Sequence, residues 1–216
     1  MSERTRGEHT RTQLVEAAIR LLADGGAEAL QARKLAAEIG ASTMAVYTHF
    51  GGMAALMEAV AREGFRRLIA NMATVEQTDD PVADLYRLAL AYRQTAVEHP
   101  ELFTLMFREA GAHGHAVGDL LKKDPDTEAA ASFHGMVAAL ARTIDAGRLQ
   151  GDPLVVASQV WSAVHGYVTL ELLGHFGRGD RGVTEVLAPL CVTLVVGLGD
   201  SPAAARASVG LVTTTE

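Results

Sequence analysis

Apolar side chains recur every three or four residues along most of this chain, and strict alternation is nowhere sustained, so the pattern predicts helices and no convincing strand. Leu14, Ala17, Ala18, Leu21 and Leu22 share one face of a first helix, read as starting at Thr10 with Gln13 completing a capping box. Gly25-Gly26 ends it. Residues 30–50 then divide into two short helices around a glycine-bearing turn. Leu35, Ala36 and Ile39 bury one face, Gly40 can take the left-handed conformation that stops a helix, and Ser42 can cap the next. In that next helix Val46 and Phe50, four apart, turn inward, while Thr43, Met44, Tyr47 and Thr48 are exposed. This is the layout of a helix-turn-helix, whose second helix enters the major groove and brings short side chains to base edges.

After Gly51-Gly52 a long helix is expected over about Met53–Ala73, with Leu56, Val60, Phe65, Leu68 and Ile69 partly facing the N-terminal unit. Asp80-Pro81, Asp124-Pro125 and Asp152-Pro153 read as helix starts, because aspartate caps free amides and proline suits the first helical position. They predict helices over about 81–98, 125–146 and 153–176. A shorter helix follows His99-Pro100, residues 111–118 read as a loop, and a last strong helix runs over about 183–198 with a local kink at Pro189. From Asp200 the chain is low in charge and rich in Ala, Ser and Thr, so residues 200–216 are expected to be a loose tail. The fold class is all-α: a three-helix helix-turn-helix domain over 1–52, a linking helix over 53–74, and a helical ligand-binding and dimerisation domain over 75–199.

The glycines closing the first helix, the two short helices and the run Ala45-Val46-Tyr47-Thr48-His49-Phe50 resemble the tetracycline-repressor (TetR) family of one-component transcription regulators. The resemblance is specific over about residues 9–70. Beyond them, Trp161 with His165-Gly166 looks like a signature of one branch of the family's effector domain. The resemblance implies that Arg33 and Thr43 face bases, and that Tyr47, His49 and the start of the following helix hold phosphates. Lys34, Ser42, Met44 and Thr48 complete the DNA-facing set. Gln31 stands where the family usually has a capping threonine or serine, and Met53 where it usually has a phosphate-binding lysine.

The net charge of -7 is unevenly spread. Residues 1–50 carry six basic and six acidic side chains, residues 51–74 three and two, and residues 75–216 ten and eighteen. A neutral reader implies modest electrostatic affinity, carried by a few placed groups and helix N-termini and strengthened by dimerisation. Arg4, Arg6 and Arg11 form a small basic arm, read first as a solvated terminus. The single cysteine, Cys191, rules out an internal disulfide and reads as a small core residue. The N-terminus lacks the apolar core of a signal peptide, and the longest apolar run, Val186 to Gly199, is shorter than the roughly 20 residues a bilayer needs. A cytoplasmic location away from membranes is expected.

Val160, Trp161, Val164, Val168 and Leu172 lie on overlapping turns of one helix, and Val186, Leu187, Leu190, Leu194, Val195 and Leu198 leave the final helix apolar over most of its circumference. A four-helix bundle between two copies would cover them. Phe103, Met106, Phe107, His134, Met136, Trp161, His165 and Tyr167 are candidates to line a cavity for a small apolar effector near the Trp161–His165 turn. His113 and His115 lack the further ligands of a metal site, and no metal or cofactor is expected. No serine elbow, zinc-protease helix or paired-carboxylate arrangement points to an enzyme. The expected protein is a homodimer on double-stranded palindromic operator DNA, most simply a repressor released by its effector. The alternative is a non-catalytic helical module that holds a small molecule or protein beside a weak DNA reader.

Overall fold

The computed structural model describes residues 3–112, 127–177 and 179–213, and no strand occurs among them. The elements in order are α1 (Glu3–Gly25), α2 (Ala32–Glu38), α3 (Met44–Phe50), α4 (Met53–Met72), α5 (Pro81–Glu98) and α6 (Pro100–Ala112), then α7 (Glu128–Asp145), α8 (Pro153–Leu172), α9 (Ala188–Gly197) and α10 (Pro202–Thr213). α4 runs from the N-terminal trihelical unit into the body, packing on α1 and α3 at one end and on α5, α6 and α7 further along.

Several boundaries follow the capping chemistry in the sequence. Asp80 accepts from the amides of Val82 and Ala83, both at 3.1 Å, and Asp152 does the same for Leu154 and Val155. Asp124-Pro125 lies outside the described residues; α7 begins at Glu128 with Thr127 as its cap, accepting from Ala130. α8 stops at Leu172, short of the expected 176. Gly174 there adopts φ 84°, and the amides of Gly174 and His175 return to the carbonyls of Glu171 and Leu170.

Four expectations need correction. α1 starts at Glu3, about two turns before Thr10, whose hydroxyl donates to the Arg6 carbonyl from inside the helix. The Arg4–Arg6–Arg11 segment is therefore helical, with the Arg11 guanidinium 4.7 Å from the centre of the Phe50 ring. Ser42 makes no side-chain cap: α3 begins after Thr43, and Ala45 donates to the Ser42 carbonyl instead. The last strong helix is interrupted by a π-turn over 183–187 immediately before α9. Pro189 has no amide to donate and crowds the preceding turn, so the backbone widens there and Ala188 reaches back to Val183.

The C-terminus, fourth, is a packed helix where a loose tail is expected. Residues 202–213 are α10, packed on α5 and α9 with Ala205, Ser208, Val209 and Val212 buried. Ser201 caps its first turn by accepting from Ala204, and Pro202 starts it. Polar groups then fix it across long sequence distances. Ser208 donates to Asp80 at 2.6 Å, and Arg148 makes two hydrogen bonds to Asp200 at 2.9 and 2.7 Å, a further one to Ser208 and a weaker one to Asp80. A second such knot surrounds buried Asp84, which accepts from the Thr78 amide and hydroxyl, from Arg87 and from Arg142.

Burial works to raise both Asp80 and Asp84. Donors outweigh it in each case, chiefly Ser208 for Asp80 and Thr78 for Asp84, then backbone amides and arginine, so both carboxyls lie below their usual range. The unfolded chain therefore takes up protons first as pH falls. The stabilisation is complete above an ordinary aspartate pKa of about 4 and is lost as pH drops through the lower folded values. Urea midpoints should fall between pH 6 and pH 3, and Asp84→Asn should flatten that dependence. An equally steep acid loss in the variant would remove Asp84 from the account.

Candidate DNA-reading face and effector cavity

α1 lies across α2 and α3, and fully buried Leu14, Leu35 and Val46 pin the three together. Gly40 takes φ 65°, with Gly40 and Ala41 donating back to Ala37 and Ala36, so the glycine ends α2 and aims α3 as the sequence predicts. That leaves Thr43, Met44, Tyr47 and Thr48 on the outer face. Met44 is 64% exposed and Tyr47 52%, so both large side chains stand free at this surface. Ser42, Arg33 and Lys34 are exposed beside them, and neither basic group forms an ion pair among the described residues. His49 is half-buried, because α1 passes at Gly7 close to its ring.

Two helix N-termini at this surface lack side-chain caps. Gln31 stands in extended backbone before α2, and its side-chain amide donates to the Glu28 carbonyl, leaving the first amides of α2 without it. Met53 packs into the core, and the first turn of α4 has no side-chain cap either. Uncapped amides at a helix start attract anions.

Between α4, α5, α7 and α8 lies a cavity of about 100 Å³. Phe65, Leu68 and Met72 wall it from α4, Leu85, Leu88 and Tyr92 from α5, Phe133 and Met136 from α7, and Trp161 and Val164 from α8, with Phe107 of α6 closing one side. Among the described residues, no charged one lines it. Tyr92 brings a polar tip, its oxygen 2.7 Å from His165 Nδ1. Burial pushes the phenol far up and His165 down, so both are neutral at neutral pH. Rings continue behind the wall: Phe107 meets His165 at 4.6 Å between centroids, and His165 meets Trp161 at 5.4 Å and stacks on Phe103 at 5.6 Å.

Of the residues singled out in the sequence, Phe107, Met136 and Trp161 line this cavity. Phe103 and His165 form the layer behind, where His165 positions Tyr92. Met106 does not reach it: its sulfur fills the space that the missing side chain of Gly64 leaves on α4. Tyr167 is stacked 5.1 Å from Phe176 and donates to Glu171, away from the cavity. His134 is exposed, because the neighbouring position on α7, Phe133, is the one turned inward. His113 and His115 lie outside the described residues. Tyr92, Phe65, Leu68 and Met72 were not anticipated as lining. Their spacing, 65-68-72 on α4 and 85-88-92 on α5, carried the signal of inward faces.

α4 links the two places. Its cavity face carries Phe65, Leu68 and Met72, while Arg67 reaches Glu16 of α1 at 2.6 and 2.8 Å and Glu63 of its own helix at 2.9 Å. Leu56 and Val60, both buried, join the same core as Leu14 and Leu35. α4 is thus packed and ion-paired to the trihelical unit and also walls the cavity.

The apolar positions expected to meet a second copy divide. Val164, Val168, Leu187 and Val195 are buried within the chain and Trp161 faces the cavity. Val186, Leu190 and Leu194 are half-covered, while three apolar residues outside the expected set, Leu170 (43% exposed), Leu173 (69%) and Val155 (54%), are exposed on or just beyond α8.

A helix-turn-helix head, carried by one helix into an all-helical body with an apolar cavity against that same helix, defines a one-component transcription regulator. The chain belongs to the TetR family: residues 14–60 match the bacterial regulatory proteins of the tetR family, and residues 85–194 match the tetracyclin repressor-like C-terminal domain. An uncharacterized HTH-type transcriptional regulator of Mycobacterium tuberculosis is 28% identical over 193 residues, 88% of this chain and 81% of that protein. Among solved structures, a protein of unknown function from Rhodococcus sp. RHA1 is 29% identical at a TM-score of 0.74, covering 88% of this chain and 96% of that one. RolR, solved in complex with resorcinol, shares the fold at a TM-score of 0.67 and 17% identity over 96% of both chains. No helix among the described residues is long and apolar enough to cross a membrane.

Proposed function

We propose that this regulator is a cytoplasmic homodimeric repressor, binding a palindromic operator through α2 and α3 and leaving it when a small, uncharged, largely apolar effector fills the α4–α5–α7–α8 cavity. The observation that carries the reading is the double duty of α4, which walls the cavity with one face and holds the reading head with another. Arg33, Lys34, Ser42, Thr43, Met44, Tyr47, Thr48 and His49 form the DNA contact set, and the uncapped starts of α2 and α4 receive phosphates. The effector must be uncharged at its apolar end, because a charge buried among these walls would lack a counter-ion. Tyr92 offers it one hydrogen bond, and the resorcinol bound by RolR is a molecule of this kind, a ring with hydroxyls. Symmetric pairing through the α8–α9 surface sets two heads one helical turn apart on DNA.

Side chains on the outer face separate base reading from backbone holding. Arg33→Ala is expected to relax base preference at a cost of about 1–3 kcal/mol, whereas Tyr47→Phe weakens binding to all sequences alike. Fluorescence anisotropy with DNA from the chain's own upstream intergenic region, at one fixed salt concentration, reads both effects. Unchanged affinity in both variants would refute the assignment of this face.

A further inference from the structure

The cavity has a neighbour across one wall. Met72, Leu88 and Ser132 line the cavity, and the same three residues line a second, larger space of about 550 Å³ between the C-terminal end of α4 and the outer side of α7. The two spaces therefore share a wall at the last turn of α4. The second space has a different chemistry. It is lined by Ala131, Gly135, Ala138 and Ala139 of α7 with Ile69 of α4, and also by the polar groups Asp84, Arg142, Glu76 and Gln77.

We propose that the effector spans both spaces: an elongated amphipathic molecule whose apolar end sits beside Trp161 in the inner chamber and whose neutral hydrogen-bonding end lies among Gln77, Asp84 and Arg142 in the outer one. This rests on the inner chamber being the effector site. Size supports two compartments. An apolar cavity of about 150 Å³ accommodates benzene, so an inner volume of about 100 Å³ takes no more than a small ring or a short alkyl segment. Anything with more apolar bulk must continue past Met72 and Leu88.

The character of the polar part follows from its pairing. Asp84 is already bonded to Arg87 and Arg142, and Arg142 donates also to the Thr78 carbonyl. A carboxylate arriving there would meet Asp84 and Glu76, and an ammonium would meet Arg142, so neither finds an uncompensated partner. A hydroxyl, amide or ester meets both donors and acceptors. Small residues on α7 keep the route open: a Cβ added to Gly135 would meet no atom within 4 Å. The chain of such a molecule would cross the final turn of α4, the helix that carries the reading head.

A series of straight-chain alcohols from butan-1-ol to dodecan-1-ol tests this on the full chain, read by the emission of Trp161, the only tryptophan. In the unaltered protein, affinity should keep rising about three- to fourfold per methylene beyond the length that fills the inner chamber. Gly135→Phe fills the outer space only. It should leave butan-1-ol binding unchanged, halt the rise beyond about hexan-1-ol and weaken dodecan-1-ol at least tenfold. Ala139→Leu in the same lining repeats the test should Gly135→Phe fail to fold. Equal dodecan-1-ol affinity in a folded variant and the parent, or a plateau at hexan-1-ol in the parent, overturns the two-chamber proposal while leaving the inner site intact. Failure of every alcohol, butan-1-ol included, to bind overturns the inner site itself and the proposal with it.

Discussion

Replacing Leu170 and Leu173 together by glutamate is expected to turn the proposed dimer into a monomer that keeps its helices but scarcely holds operator DNA. Within one chain both side chains are exposed, at 43% and 69%, so the substitutions cost the isolated fold little. Across a desolvated helix bundle they place uncompensated charges twice, once from each copy, at a cost of about 3–5 kcal/mol. By mass action that is a loss of roughly two to four orders of magnitude in association. Operator affinity falls with it, because a single head in a charge-balanced domain has few phosphate contacts of its own. Sedimentation and far-UV circular dichroism separate the two effects. A dimer undisturbed by both substitutions, or a monomeric parent, would remove this surface from the account.

The second large effect concerns coupling. A ligand moves α4 only if it binds the DNA-incompetent arrangement more tightly, since equal affinity for both arrangements shifts nothing. The effector should therefore weaken operator binding, and operator should weaken effector binding by the same factor, in the range of about 5–150-fold for a typical coupling free energy. Trp161→Ala enlarges the inner chamber without touching the reading head, so it should reduce effector affinity and leave effector-free operator binding nearly intact. Arg67→Met should do the reverse. It removes the tie between α4 and Glu16 of α1, reducing the coupling factor while effector still binds. Equal ligand affinity in free and operator-bound protein would contradict the switch.

The helices were legible where a local signal sets them. Asp80-Pro81 and Asp152-Pro153 cap helices as read, and Gly40 ends α2 in the left-handed conformation that the turn requires. Local signals misled where a stronger preference overrode them. The Thr10–Gln13 box is preceded by a segment without proline, and α1 extends through it despite Gly7. α10 shows the opposite failure. Ser201-Pro202 is the same kind of start signal, but the helix is fixed by Ser208 on Asp80, 128 positions away, and no window of sequence contains that contact.

The site divides the same way. The reading face is a short local motif, so exposure of Thr43, Met44, Tyr47 and Thr48 follows from periodicity alone. The cavity is assembled from five helices, and periodicity says only that a residue faces inward, not which neighbour it meets. Phe107 and Trp161 were found for their size, whereas Tyr92 was missed because its partner, His165, is 73 positions on. His134 was included for its chemistry although the preceding residue, Phe133, occupies the inward phase. The same limit misplaced the outer surface. α8 is apolar nearly all round, so sequence alone could not tell Val164 and Val168, which meet their own chain, from Leu170 and Leu173, which do not.

The most direct test of the central claim is a titration of labelled upstream intergenic DNA with the full chain, followed by anisotropy against an unrelated duplex of equal length. The expected result is saturable binding of two copies per site, at least a thousandfold tighter than to the unrelated duplex, consistent with the usual gap of about 10³–10⁷ between specific and non-specific sites. Binding to both duplexes alike, or to neither, would contradict it.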